Sequence, residues 1–171
     1  RQVKWLKQDL ALTPKDMKVV LCYHIPFTFG NAPFSKAKPL SNANEQGHYS
    51  SSRLSLLLSL LKPFKGGYEL FCGHTHFACN HEINYQGKDV MEHCHAAACG
   101  NIWQSNINIC GTPNGYYVYS FVGTSISNCY YKGTFWDKSK QMTIFRAQTD
   151  FNGEKYAKDW QLATNRNILV A

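Results

Sequence analysis

The chain has 171 residues, of which 44% are hydrophobic and 17% are charged. This composition excludes intrinsic disorder, and the length suits one domain or one domain with a small partner. Eighteen basic residues against 11 acidic residues give a net charge of +7. Because the lysines are scattered singly, we expect a solvated basic surface rather than a nucleic-acid arm. The longest apolar run, residues 54–61, is too short to span a bilayer.

The seven cysteines include no Cys-x-x-Cys pair, which argues against a zinc ribbon or a thioredoxin-type redox motif. Cys22 and Cys72 lie in apolar runs that are typical of strands. We therefore expect both to be buried, unreactive thiols.

The first half of the chain predicts alternating helices and strands. Residues 2–10 have apolar side chains at helical spacing, and residues 18–23 form a β-branched run typical of a buried strand. Residues 27–49 predict a long loop, of a length that is usually functional or mobile inside a compact domain. A helix over residues 53–61 and a strand over residues 68–72 follow. Strand, helix and strand in this order predict a parallel βαβ unit.

After Gly73 the chain consists of short alternating segments separated by turns. This pattern predicts an antiparallel, aromatic-rich β region. The predicted strands are residues 81–85, 89–97, 116–122, 126–132 and 141–147. We therefore expect a mixed α/β (α+β) fold with a boundary near residue 105.

Three histidines follow the two predicted parallel strands at the point where each strand ends. His24 follows residues 18–23, and His74 and His76 follow residues 68–72 in a Gly-His-Thr-His block. Open α/β sheets place their sites beyond the carboxyl ends of their strands, and imidazole is the commonest metal ligand. We therefore predict that His24, His74 and His76 bind metal. The alternative for a His-x-His pair alone is two histidines on an exposed strand face.

These blocks resemble a known family. The Gly-His-Thr-His block at residues 73–76 and the Leu-Cys-Tyr-His-Ile-Pro block at residues 21–26 resemble the last two metal-binding blocks of the calcineurin-like metallophosphoesterases. Residues 92–116 are similar to the β-rich C-terminal extension of a Bacteroides-type bacterial subgroup. The resemblance implies that residues 1–104 are the C-terminal half of a catalytic domain, part of a β-sandwich flanked by helices. Residues 105–171 would then be a small, truncated antiparallel extension.

The resemblance implies hydrolysis of phosphate mono- or diesters at a two-metal centre. His24 and His74 would bind one ion and His76 the other, with manganese, iron or zinc as the metal. The family's earlier Asp-x-His, Gly-Asp and Gly-Asn-His blocks do not occur in the sequence. They supply the bridging carboxylate, the Asn ligand and the His that contacts the phosphate. We therefore expect the chain alone to hold at most one ion and to be incomplete, with the N-terminal half of the catalytic domain as its partner.

Beyond the metal ligands, no catalytic acid or base is assigned. The candidates for lining a substrate site are Phe27, Asn31, His48 and His93. For His93 and His95, at alternate positions of a predicted strand, the alternatives are a site-lining pair and a second metal site, and we favour a structural or peripheral role. His48 is more simply a solvated loop residue. We expect His81 to be a strand-surface histidine.

Two other classes of function stay open at this point. One is a non-catalytic β-rich module that binds glycan or a partner protein and has a single structural or relic metal site. The other is a nucleic-acid binder, whose affinity would fall steeply with salt and which the scattered lysines make unlikely. With a small phosphate ester as the expected substrate, the resemblance implies a bacterial periplasmic or cell-envelope protein, with the cytoplasm as the alternative.

Overall fold

A computed structural model describes residues 1–27, 34–37, 51–76, 78–99, 108, 112–142, 144–146, 150–151, 154–155 and 168–170. The elements in chain order are α1 (Gln2–Leu12), β1 (Val19–Cys22), β2 (Phe34–Ala37), α2 (Ser51–Leu61), β3 (Tyr68–Cys72), β4 (Cys79–Tyr85), β5 (Lys88–Cys94), β6 (Gly115–Val122), β7 (Ser125–Gly133), β8 (Ile144–Arg146), β9 (Asp150–Phe151), β10 (Glu154–Lys155) and β11 (Ile168–Val170). This mixture of helices and strands confirms the predicted α/β class.

The described residues form two compact units. The first unit takes in those within Arg1–Cys72, Cys79–Cys94 and Val122–Ser125. The second takes in those within Gly73–Ala78, His95–Phe121 and Ile126–Ala171. The predicted division between residues 104 and 105 stays a prediction. Across the described ranges, no helix is both long enough and apolar enough to cross a membrane.

The first unit is built on a five-stranded sheet with the strand order β1-β3-β5-β4-β2. β1 pairs in parallel with β3, from Val19 opposite Tyr68 to Cys22 opposite Phe71. Because α2 lies in the connection between them, this pairing confirms the predicted parallel βαβ unit. β5 pairs in parallel with β3 and antiparallel with β4, so the two strands after Gly73 extend the same sheet.

β2 lies inside residues 27–49, which the sequence predicts as one long loop. It pairs in parallel with β4, from Phe34 opposite Asn80 to Ala37 opposite Ile83. The loop prediction is wrong for these four residues. Their sequence, Phe-Ser-Lys-Ala, has no pronounced apolar alternation, so the available edge of β4 rather than the local pattern makes them a strand.

An apolar core joins α2 to one face of the sheet. The helix contributes Leu54, Leu57, Leu58 and Leu61, and the strands contribute Tyr68, Leu70, Ile83 and Val90. The leucines follow the i, i+3, i+4, i+7 spacing of one helical face. Leu58, Leu61 and Leu70 are 0% exposed, and the burial of each stabilises the fold by about 1.5–3 kcal/mol.

Two predictions about burial are wrong. Cys22 is exposed, because the alternation along β1 places it on the opposite face from Val19 and Leu21. His81 is 1% exposed rather than on the strand surface, because it lies on the inward face of β4. In both cases the twofold alternation decides the outcome.

The second unit contains a buried asparagine and most residues of the paired strands β6 and β7. The Ala97 amide donates to Asn108 Oδ1 at 2.8 Å, and Asn108 Nδ2 donates to the carbonyls of Ala97 at 3.0 Å and Thr112 at 3.2 Å. Asn108 is 0% exposed and thereby joins two stretches of irregular chain. β6 and β7 pair across the two-residue turn at Gly123 and Thr124, where Gly123 has a φ of 57°. The other strands form the antiparallel pairs β8 with β11 and β9 with β10.

Candidate functional site

The candidate metal ligands follow the carboxyl ends of β1 and β3. Because these strands are parallel and in register, their ends lie at the same edge of the sheet. His24 belongs to the first unit, where its imidazole is exposed. His74 and His76 belong to the second unit. Joint metal binding by the three histidines therefore stays a prediction.

The turn after β3 is strained at both of its histidines. His74 has a φ of 72° and His76 a φ of 59°, whereas Gly73, the residue that tolerates such values best, is not left-handed. The amide of Thr75, between them, donates to the Gly73 carbonyl at 2.8 Å. Left-handed backbone at residues other than glycine costs free energy and is concentrated at functional sites. This turn is therefore a structural indication of a functional site.

The segment that carries His24 is anchored to one buried carboxylate. The Tyr23 hydroxyl and the Phe27 amide both donate hydrogen bonds to Glu92 Oε1, the amide at 2.7 Å. Glu92 is 0% exposed and lies on the inward face of β5. Burial, followed by the charge and hydrogen bond of Glu92, raises the pKa of Tyr23 far above its usual range. The Tyr23 hydroxyl is therefore a protonated donor at neutral pH.

A buried imidazole, that of His81, lies opposite this carboxylate in the sheet. His81 is the register partner of Glu92 across β4 and β5, and its Nε2 lies 3.1 Å from Cys79 Sγ. Burial lowers the pKa of His81, against an opposing effect of Glu92, so the imidazole is neutral at neutral pH.

His93 lies on the other face of β5, where its contacts are structural. Its Nδ1 lies 2.7 Å from Asn80 Oδ1, its Nε2 lies 3.5 Å from Glu69 Oε2, and its ring meets the Phe71 ring edge-on. Lys18 Nζ also lies 2.9 Å from Glu69. Burial alone would raise the pKa of Glu69, but the hydrogen bonds from His93 and Lys18 hold it below its usual value. A substrate-lining role for His93 stays a prediction.

β5 ends at Cys94, so His95 lies beyond the strand and in the second unit. Its Nε2 lies 2.7 Å from the Tyr119 hydroxyl, and its ring packs against that of Tyr117 at 4.8 Å. The Tyr117 ring in turn meets Tyr131 of β7 edge-on at 4.9 Å. These rings pack on one another, as aromatic side chains of paired strands do.

Of the other candidate residues, Asn31 and His48 lie outside the described residues. Phe27 is half-buried and packs against the core, and its role at a substrate site stays a prediction. Sequence reasoning did not single out Glu92 as an anchor. The sequence contained a signal for this role. Glu92 lies two residues from Val90 and two from Cys94 on the same strand, so all three side chains are on one face, and that face is the inward one.

The donor set fits part of a two-metal centre. Neutral imidazole nitrogens suit zinc, iron and manganese, but two ions also need a bridging ligand such as a carboxylate. In the described part of the chain, no three or more His, Cys, Asp or Glu side chains are grouped so that they could hold a metal ion. The described residues therefore do not complete such a centre, and we derive no catalytic step through it.

Comparison with known proteins finds a similarity in the region that follows the strained turn. A family model described as C terminal of Calcineurin-like phosphoesterase matches residues 92–167. No curated protein and no solved structure matches the chain. The match begins at the anchoring residue Glu92 and takes in β6 and β7.

Proposed function

We propose, from the premise that residues 92–167 are the C-terminal region of a calcineurin-like phosphoesterase, that His24, His74 and His76 are ligands of a phosphoesterase metal centre. The reaction is the hydrolysis of a phosphate mono- or diester, and the substrate is a small molecule. The observation that carries the proposal is the left-handed backbone at both His74 and His76.

The strain supports a ligand role for a physical reason. A left-handed conformation costs an L-residue roughly 1–2 kcal/mol, and glycine adopts it without that cost. Two such residues lie within three positions of this turn, and both are histidines. Glycine would fit each position without this conformational cost. The presence of histidine therefore indicates that the imidazole has a function that glycine cannot supply, and metal binding is such a function.

When bound, a divalent ion at such a centre acidifies water and polarises the phosphoryl group. The imidazoles of this chain would hold the ion and leave the metal identity open among manganese, iron and zinc. The complete centre has two ions, and we place the bridging carboxylate on residues beyond those described. On the resemblance of residues 92–116 alone, we also propose a bacterial periplasmic or cell-envelope location.

Metal titration of the chain tests the ligand assignment. Zn²⁺ and Mn²⁺ binding are measured by calorimetry and by elemental analysis after desalting, for the wild type and for His24→Asn, His74→Asn and His76→Asn. We expect the wild type to bind Zn²⁺. At least two of the variants should bind it with an affinity that is lower by about tenfold or more. The matched control is His93→Gln, because His93 is held by Asn80 and Glu69.

The outcomes separate the proposal from its rivals. A wild type that binds neither ion, or that binds equally well after all three substitutions, overturns the ligand assignment. A gene product with further ligands that hydrolyses p-nitrophenyl phosphate or its diester, and loses this activity in His74→Asn, supports the enzyme. Metal-dependent thermal stability without turnover in that complete protein instead supports a module with one structural ion.

A further inference from the structure

We infer that Glu92 is a positioning residue for His24, because its buried carboxylate holds the chain on both sides of that histidine. The inference rests on the proposed function, since it concerns how one proposed ligand is oriented.

The two anchoring hydrogen bonds bracket the histidine. Tyr23 immediately precedes His24, and its hydroxyl donates to Glu92 Oε1. Phe27 follows three residues later, and its backbone amide donates to the same oxygen at 2.7 Å. A single carboxylate oxygen on β5 therefore fixes both the entry to and the exit from the His24 turn.

Packing restricts the same segment further. The Tyr23 and Phe27 rings lie against each other, with centroids 5.1 Å apart and planes at 58°. The Tyr23 amide donates to the Phe71 carbonyl at 3.0 Å, which continues the β1–β3 pairing up to the residue before His24. Pro26 is fully buried, whereas His24 itself is exposed. The exposed imidazole of His24 therefore lies between residues that are held in place by packing and hydrogen bonds.

The burial of Glu92 makes these bonds costly to break. Its side chain is 0% exposed, so a carboxylate there depends on donors from the protein rather than on water. The neighbouring His81 is also buried and lies directly opposite Glu92 in the sheet register. Removal of one donor would leave a buried acceptor without a replacement from water, which costs more free energy than the loss of an exposed hydrogen bond.

Orientation of a metal-binding histidine is usually secured by a partner on its second ring nitrogen, and loss of such a partner weakens metal binding about 10- to 100-fold. Here a restraint acts on the side chain of Tyr23 and on the backbone amide of Phe27. Loss of either bond should therefore loosen the turn without removing any atom of His24.

Two variants and one control test this role. Glu92→Gln keeps the shape of the side chain but replaces its carboxyl group by an amide, and Tyr23→Phe keeps the ring but removes one donor. The control, Tyr85→Phe, removes a hydroxyl that donates to the Ser55 carbonyl at 3.3 Å elsewhere in the same unit. Two readouts are followed by NMR: hydrogen exchange of the Phe27 amide, and the response of the His24 imidazole to added Zn²⁺.

We expect Phe27 exchange to be at least tenfold faster in Glu92→Gln, and the Zn²⁺ affinity reported by His24 to fall about tenfold in both variants. Tyr85→Phe should match the wild type in both readouts. If Glu92→Gln does not fold, Tyr23→Phe decides, because its ring packing is retained. Unchanged Zn²⁺ affinity in the folded variants overturns the positioning role, even where exchange is faster.

The wild-type response separates the two proposals. If His24 of the wild type does not respond to Zn²⁺, the proposed ligand role fails and the positioning role fails with it. If the wild type responds and the folded variants bind Zn²⁺ equally well, only the positioning role is overturned.

Discussion

His74 and His76 adopt left-handed backbone conformations on either side of a single threonine, with φ values of 72° and 59°. The relationship is unusual because the preceding Gly73 does not take this conformation. The turn after β3 therefore places its conformational cost on the two imidazole-bearing residues. This cost can be measured directly.

Replacement of either histidine by glycine should stabilise the metal-free chain. A left-handed φ is free of steric cost for glycine, but glycine also makes the unfolded chain more flexible, so we expect a net gain of about 0.5–1 kcal/mol for His74→Gly. His76→Gly should change stability in the same direction. Both variants should bind Zn²⁺ more weakly than the wild type. Urea unfolding measures the first effect and calorimetric titration the second.

The matched control is Gln86→Gly, in the turn between β4 and β5. Gln86 is also left-handed, with a φ of 51°, and its side chain accepts only an exposed hydrogen bond from Lys62 in the contacts described. This variant should gain similar stability and bind Zn²⁺ as the wild type does. A clear loss of stability in His74→Gly would mean that the imidazole has a structural purpose.

Asn108→Ala should destabilise the second unit by about 2 kcal/mol, since it removes both the acceptor of the half-buried Ala97 amide and the donor to the Ala97 carbonyl. The matched control is Asn84→Ala. Asn84 donates a hydrogen bond to the Asp89 carboxylate and accepts one from the Gly87 amide, but both bonds are exposed. Its loss should cost under about 1 kcal/mol. Urea unfolding followed by tryptophan fluorescence compares the two, and equal losses would contradict the role assigned to Asn108.

Stability should decrease as the solution becomes acidic, in part through His81. Burial lowers the pKa of His81 below its ordinary value of about 6.5, so the unfolded chain takes up a proton that the folded chain does not. The contribution of His81 to the free energy of unfolding is therefore fully present above about pH 6.5. It is lost as the pH falls towards the pKa of His81 in the folded chain. Unfolding free energies from about pH 7.5 to about pH 5 should fall more steeply for the wild type than for His81→Gln.

His93→Gln is the control for this pH dependence, because it leaves His81 in place. It should keep the additional slope that His81→Gln loses. Parallel curves for the wild type and His81→Gln would show that the buried imidazole is not the group that titrates.

The described cysteines should differ sharply in reactivity. Cys22 and Cys129 are exposed, whereas Cys72, Cys79 and Cys94 are buried in one row across β3, β5 and β4. A hydrogen bond with Cys94 and burial raise the pKa of Cys72 well above its usual value, which keeps it a thiol.

Pulsed iodoacetamide followed by peptide mass spectrometry measures this difference. Cys22 and Cys129 should be alkylated in the folded chain, and the three buried thiols should react at comparable rates only in urea. Rapid alkylation of Cys72 in the native chain would contradict the burial of this row.

Local periodicity was enough to locate most elements. β3 was predicted at residues 68–72 and is observed there, and the helix predicted at residues 53–61 is observed as Ser51–Leu61. Leucines at helical spacing and β-branched runs identify elements because their pattern reflects the geometry of one segment alone. The resemblance to a family was likewise drawn from local blocks, since the residues around His24 and those around His74 are each contiguous in the chain.

Pairing between distant segments was decided only in the tertiary structure. β2 is a strand because it pairs with the edge of β4, and β5 lies parallel to β3. Neither pairing follows from the local pattern of the segment. Likewise, His81 is buried and Glu92 anchors Tyr23, a residue 69 positions away. The sequence determined the segments and the chemical groups, because these depend on neighbouring residues. Which groups contact each other depended on the register of each strand and on the face that each side chain occupies. A shift of one residue in the register would move every side chain of a strand to the opposite face of the sheet.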